Sequence, residues 1–316
     1  ITLASAKDAA KLALTLQTHG AFIGVDGISK NNYTNLTNLL NANISLTGDV
    51  DLRNSGVEQF TCALDVNTVF TGTIVGGSHT LTLAIGESIR SANGLTNENI
   101  GILNDGVNTR YFMGAFSSVS GAKVESLTVA GEVKHYANAP SGFFLGGVSS
   151  HASGAVTLTN CTTKLQITLA QGAGYSQKSI YVGGFIGGTQ NATLRITGSK
   201  TAASIRHENG SYNINEVYLG GMVGKATTGQ KVDLTNNIIS AVVTQEQSRP
   251  DAYVGGCIAV LECSNYVDVD LTGTSATAEA SVSAKSTTDA GGLIGHTFDK
   301  CRLVLDGAWQ GTVSSG

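Results

Sequence analysis

The sequence predicts an all-β chain: a right-handed parallel β-helix of about 36-residue, three-strand coils, closed at its amino-terminal end by an α-helix. The first observation is a recurring motif. Phe144-Leu-Gly-Gly-Val148 returns as Tyr181-Val-Gly-Gly-Phe185, Tyr218-Leu-Gly-Gly-Met222, Tyr253-Val-Gly-Gly-Cys257 and Asp289-Ala-Gly-Gly-Leu293. Its second glycines, at 147, 184, 221, 256 and 292, are spaced 37, 37, 35 and 36. A fixed period in this range is the mark of a solenoid. The second observation is that two apolar files travel with the glycines: Leu158, Ile196, Leu234, Leu271 and Leu305, then Ile167, Ile205, Val243, Ala280 and Val313. The third is composition: 40 glycines and only 13% charged residues among 316, with 41% hydrophobic residues to build a core. Such a balance favours strands joined by tight turns.

Each coil thus holds three short strands with one buried and one wetted face. Parallel crossovers between coils are overwhelmingly right-handed. We read residues 1–316 as a single β-helix domain. Residues 1–20 form a helical cap, 21–110 divergent coils and 111–316 the regular Gly-Gly coils. Ser5 and Asp8 make a capping box; Ala9, Leu12, Ala13 and Leu16 form one helical face, which Gly20 ends. A helix laid over the first coil hides an edge that would otherwise recruit another strand.

A resemblance follows from the amino-terminal coils. The segment Ala42-Asn-Ile-Ser-Leu-Thr-Gly-Asp-Val-Asp-Leu52, followed by Phe70-Thr-Gly-Thr-Ile-Val-Gly-Gly-Ser-His-Thr-Leu-Thr-Leu83, resembles the start of GLUG-motif surface proteins. Phe185-Ile-Gly187, Met222-Val-Gly224 and Leu293-Ile-Gly295 match the family's closing motif. Val148-Ser-Ser150 and Cys257-Ile-Ala259 depart from it, and Val75-Gly76 stands where the family has Asp-Gly. The resemblance implies a segment of a bacterial adhesin, or a non-catalytic region of a large secreted enzyme such as an immunoglobulin-A protease. It therefore implies an extracellular, cell-surface or secreted location.

Charge and motifs narrow the chemistry. A net charge of −4 without any Lys/Arg run argues against nucleic acid as a partner. No apolar stretch reaches membrane-spanning length, so membrane insertion is not expected of this segment. Five cysteines (Cys62, Cys161, Cys257, Cys263, Cys301) at irregular spacing disfavour a disulfide scaffold or a zinc site, and most read as buried small hydrophobes. The scattered histidines form no ligand set; His79, in the Gly77-Ser-His-Thr turn, reads as a turn residue. No cofactor or metal is expected.

Two surfaces remain as candidates. On the second strand, Arg195, Asp233 and Asp270 fall on one outward file, beside Thr193, Lys231, Asp268 and Arg302. Gathered carboxylates would suit a polysaccharide lyase or glycoside hydrolase, but interleaved acids and bases are the ordinary dress of a wetted sheet. An ice- or crystal-binding face would need a regular Thr-x-Thr array, and the threonines are not expected to hold one register across coils. On the first strand, if Leu145, Val182, Leu219, Val254 and Ala290 point inward, then Phe144, Tyr181, Tyr218 and Tyr253 form an outward aromatic ladder. We expect Phe185 and Met222, with Val148, Cys257 and Leu293, to flank it. Phe144, Tyr181, Phe185, Tyr218, Met222 and Tyr253 are thus the candidate binding residues, for a host or bacterial surface glycan or protein. Should the parity be reversed, the loops near 171–179, 207–215 and 245–252 would carry partners instead. The leading expectation is a non-catalytic extracellular binding or spacer segment; the alternative is a β-helix carbohydrate-active enzyme.

Overall fold

A computed structural model describes residues 1–17, 40–54, 60, 69–86, 102–104, 109–135, 142–169, 176–208, 213–246, 251–282, 288–308, 310 and 312–315. The chain is a parallel β-helix with three sheets, of seven, eleven and eleven strands. The first sheet carries the Gly-Gly strands, among them Gly142–Gly146, Ser176–Gly183, Asn213–Gly220 and Asp251–Gly255. The second stacks Ser149–Thr159, Ile186–Thr197, Val223–Thr228 with Val232–Asp233, Ile258–Asp270 and Ile294–Val304. The third runs from Val50–Asp51 and Thr80–Gly86 through Thr128–His135 and Thr162–Leu169, then divides into two columns that end at Ser275–Ala276 and Thr312–Ser315. Among the described strands every pairing is parallel except Ile102–Asn104 with Thr109–Met113.

Register follows the repeat. Leu158 pairs with Ile196, and Ile167, Ile205, Val243, Ala280 and Val313 pair in succession. Leu158, Ile196, Leu234 and Leu271 are fully buried, while Leu305 and Val313, on the last described coil, are exposed. One apolar cluster runs from Leu3 to Val282. The second glycine of each pair has a steric reason: a Cβ on Gly184 would lie 2.2 Å from the carbonyl oxygen of Gly221, one coil on. Backbone occupies that space, so the corner between the first and second sheets admits no side chain.

The corner between the second and third sheets is built differently. Asn160, Gly198, Asn236 and Gly273 take left-handed φ angles of 54°, 60°, 57° and 68° on successive coils, a conformation that glycine and asparagine adopt at least cost. The residues that follow them turn inward and form a buried polar ladder. The Cys161 N–H donates to Ser199 Oγ at 3.0 Å, the Ser199 N–H to Asn237 Oδ1 at 2.9 Å and the Asn237 N–H to Thr274 Oγ1 at 3.1 Å. Backbone donors that turn away from the sheets are thereby satisfied inside the core.

At the amino-terminal end the helix spans Ala6–Gln17, with Ala9, Leu12, Ala13 and Leu16 buried. The Asp8 N–H donates to Ser5 Oγ at 3.3 Å and the Ala4 N–H to Asp8 Oδ2 at 3.1 Å, so Ser5 and Asp8 cap the helix as expected, with the carboxylate reaching one residue further back than in a regular capping box. The helix packs on Thr2–Leu3, Val50–Asp51 and Leu52–Asn54. Its predicted end at Gly20 lies outside the described residues, as do much of 21–110, Cys62 and, of the loops named above, 171–175, 209–212 and 247–250.

The cysteine reading needs one correction. Cys263 and Cys301 form a disulfide between adjacent coils, across a Cα separation of 5.8 Å. Their sequence separation of 38 is one coil, so the stacking itself brings them together. Cys161 and Cys257 are free and buried as expected, and burial pushes their thiols up to about 11 and about 12.

Candidate functional site

The aromatic ladder forms in the expected register. Phe144 pairs with Tyr181, Tyr181 with Tyr218 and Tyr218 with Tyr253. Neighbouring rings stack face to face, with centroids 4.4, 4.8 and 5.1 Å apart and interplanar angles of 12°, 2° and 9°. Leu145, Val182, Leu219 and Val254, the intervening residues, are buried in the core. The ladder therefore stands on the outer face of its sheet, in a cluster separate from the main core.

Outward does not mean exposed. Tyr218 is only 3% and Tyr253 9% accessible, while Phe144 and Tyr181 are half-buried. The cover comes from the second sheet, which folds sharply back beside the first: a Cβ on Gly187 would lie 2.8 Å from the Leu145 backbone nitrogen. Its strands bring Ala259 and Val260 against Tyr218 and Tyr253. Lys225 Nζ sits 5.2 Å from the Tyr218 ring centroid, and His296 packs 5.5 Å from Tyr253. Because the rings also cover one another's faces, the ladder offers ring edges, not a broad stacking platform.

The same corner corrects the flanking residues. Phe185 and Met222 are fully buried in the main core, with Val148 and Cys257. They follow the Gly-Gly corner, where the chain changes direction, so the strict alternation that places the tyrosines outward no longer applies to them.

The polar groups beside the ladder have partners. Glu216 accepts from Ser179 Oγ at 3.1 Å and from the Tyr218 hydroxyl. Burial, and then that bond to Glu216, pushes the Tyr218 hydroxyl far above its ordinary range. Lys225 meets Glu262 at 2.9 Å and His296 meets Asp289 at 2.8 Å. Strand-by-strand alternation does not place Lys225 and Val260 beside the ladder, because the corner that brings them there is tertiary.

The second candidate surface is an ion-pair grid. Arg195 stands beside Asp233, and Asp233 beside Asp270, in register. Arg195 Nε lies 3.4 Å from Asp233, Lys231 Nζ 3.9 Å from Asp270, and Arg302 Nε donates to Asp268 at 2.7 Å. Hydrogen bonds from Arg302 hold Asp268 below the usual carboxylate range, and those from Thr272 do the same for Asp270. A file of Thr159, Thr197, Thr235 and Thr272 does hold one register, contrary to expectation. Its companion file, however, is Thr157, Arg195, Asp233 and Asp270, so no Thr-x-Thr array results. His79 sits in its turn as read, its N–H donating to Gly76 O at 2.8 Å.

Among the described residues no cluster of three or more His, Cys, Asp or Glu side chains is disposed to hold a metal ion. No helix there is long and apolar enough to cross a membrane. Comparison with known protein families, with curated proteins and with solved structures returns no match for this chain.

Proposed function

We propose that this chain is a non-catalytic extracellular segment of a bacterial surface or secreted protein, adhesin-like, that binds or spaces through the outer faces of a stiff rod. The observation that carries this reading is the unbroken apolar stack from Leu3 to Val282, locked by parallel pairing to both neighbouring coils. A solenoid of this kind holds its surface files at a fixed spacing of about 4.8 Å, as a rigid presenter requires. The Cys263–Cys301 bridge supports an extracellular location, since structural disulfides persist mainly in oxidising compartments. The pairing of Asp233, Asp268 and Asp270 with Arg195, Arg302 and Lys231 supports a passive role for that face.

The test is retention of the full chain on an array of glycans and host proteins, followed by incubation of each retained glycan and analysis for new chain ends. Retention without cleavage is the expected outcome. Cleavage that disappears in Asp233→Asn or Asp270→Asn would establish the carbohydrate-active alternative instead.

A further inference from the structure

The coils differ at one point on the second sheet. Between the same two register positions, the chain advances seven residues from Ser149 to Val156, eight from Ile186 to Leu194 and nine from Val223 to Val232. It advances eleven from Ile258 to Val269 and returns to nine from Ile294 to Leu303. The coil with the longest excursion lifts Ser264, Asn265 and Tyr266 clear of the sheet, and Tyr266 becomes 84% exposed.

This knuckle is built, not loose. Its base is Cys263, disulfide-bonded to Cys301 on the following coil. On the preceding coil Gly229 leaves room for it: a Cβ there would lie 2.7 Å from Ser264 Oγ. Lys300, next to the bridging Cys301, places its ammonium 5.7 Å from the Tyr266 ring centroid. Contacts from the coils before and after therefore hold the base of the excursion, and Lys300 lies over the Tyr266 ring.

We propose that the Tyr266 knuckle is a carbohydrate-recognition point, taking the apolar face of a pyranose ring against Tyr266 and its hydroxyls against Ser264, Asn265 and Lys300. A protein hot spot needs a surrounding rim that excludes water; here the neighbours Ser264 and Asn265 are themselves exposed polar residues. An isolated ring with hydroxyl, amide and ammonium groups around it matches a ligand that alternates C–H faces with hydroxyls. The disulfide lowers the ordering cost by holding the base of the knuckle before the ligand arrives. This inference rests on the reading of the chain as a binding segment and names the ligand class and the site.

The experiment compares the whole chain with Tyr266→Ala, Tyr266→Phe and the Cys263→Ser/Cys301→Ser pair on a printed array of mono- and oligosaccharides and host proteins, with thermal melting as the folding control. Expected are retention of sugars by the parent chain, about tenfold weaker retention by Tyr266→Ala, and near-parental retention by Tyr266→Phe, since the ring supplies the contact. The cysteine pair should fall between. Sugar retention unchanged in Tyr266→Ala overturns the site yet leaves the binding-segment reading standing. Retention of host proteins with no sugar overturns the ligand class. Retention of nothing overturns this inference and removes the binding half of the proposed function.

Discussion

Asn237 illustrates how single residues hold a solenoid interior together. Its Oδ1 accepts from Ser199 N–H on the preceding coil, and its Nδ2 donates to Ile196 O at 2.8 Å. Asn237→Ala strands both of those buried backbone groups, and each unsatisfied group costs about 1 to 3 kcal/mol. We expect a loss of about 3 kcal/mol, read as a lower denaturant midpoint at unchanged slope. His207 carries the opposite kind of cost. It is fully buried, its Nδ1 2.7 Å from Gln245 Oε1, and its Nε2 has no hydrogen-bond partner. Burial pushes its pKa down to about 4, against about 6.5 for the unfolded chain. As pH falls below 6.5 the unfolded chain takes up the proton first, so stability drains away between pH 6.5 and 4. The depressed carboxylates of Asp51, Asp268 and Asp270 lose their contribution lower down, so we expect His207, with its strongly lowered pKa, to set the slope between pH 6.5 and 5. Leu169 and Val282 occupy the same column on adjoining coils, and His207→Leu/Gln245→Val copies them. Denaturation midpoints measured across this range should lose that slope in the double variant; a slope that persists assigns it elsewhere.

At the scale of the strands, the charged grid and the aromatic ladder show what pairing does and does not contribute. Asp270 lies 3.9 Å from Lys231 at the surface of the sheet, and surface ion pairs are worth about 0 to 1 kcal/mol. Asp270→Asn should therefore move the denaturation midpoint by less than about 1 kcal/mol equivalent, and a larger loss would mean that the grid holds the coils together. Much of this was legible in the sequence. Alternation on each strand placed Leu145 and Val182 inward and Tyr181 and Tyr218 outward, because strand parity is a local property. The burial of Tyr218 was not legible, since it depends on the angle at which Gly183 and Gly184 turn one sheet beside the other. Phe185 and Met222 were misplaced for the same reason: alternation stops at a corner. Two further signals were present in the spacing. The separation of Cys263 and Cys301 is one coil, and the interval from the second glycine to the Leu column runs 11, 12, 13, 15 and 13 residues, longest in the coil that carries Tyr266.

For the molecule as a whole, each described coil touches mainly the coil before and the coil after, so stability is a sum of coil terms and nearest-neighbour contacts. The consequence is that an interior coil is removable if register is kept. Deleting Gly184 through Gly220 removes 37 residues, 220 − 184 + 1, and joins Gly183 directly to Gly221. Tyr181 then pairs with Tyr253, Ser149 with Val223 and Thr162 with Ile238, each replacing a partner of the same register position. The polar ladder closes too, with Asn237 taking the place of Ser199 beside Cys161, and the disulfide and the Tyr266 knuckle are untouched. The stack of tyrosines shortens by one ring without losing its spacing. The shortened chain should fold to the same strand content per residue and melt cooperatively, a few degrees lower for the loss of one set of coil contacts. Circular dichroism, calorimetry and amide NMR dispersion test this together. Loss of dispersed amide signals in the deletion variant would show that the coils fold as one indivisible unit, and the nearest-neighbour account would fail.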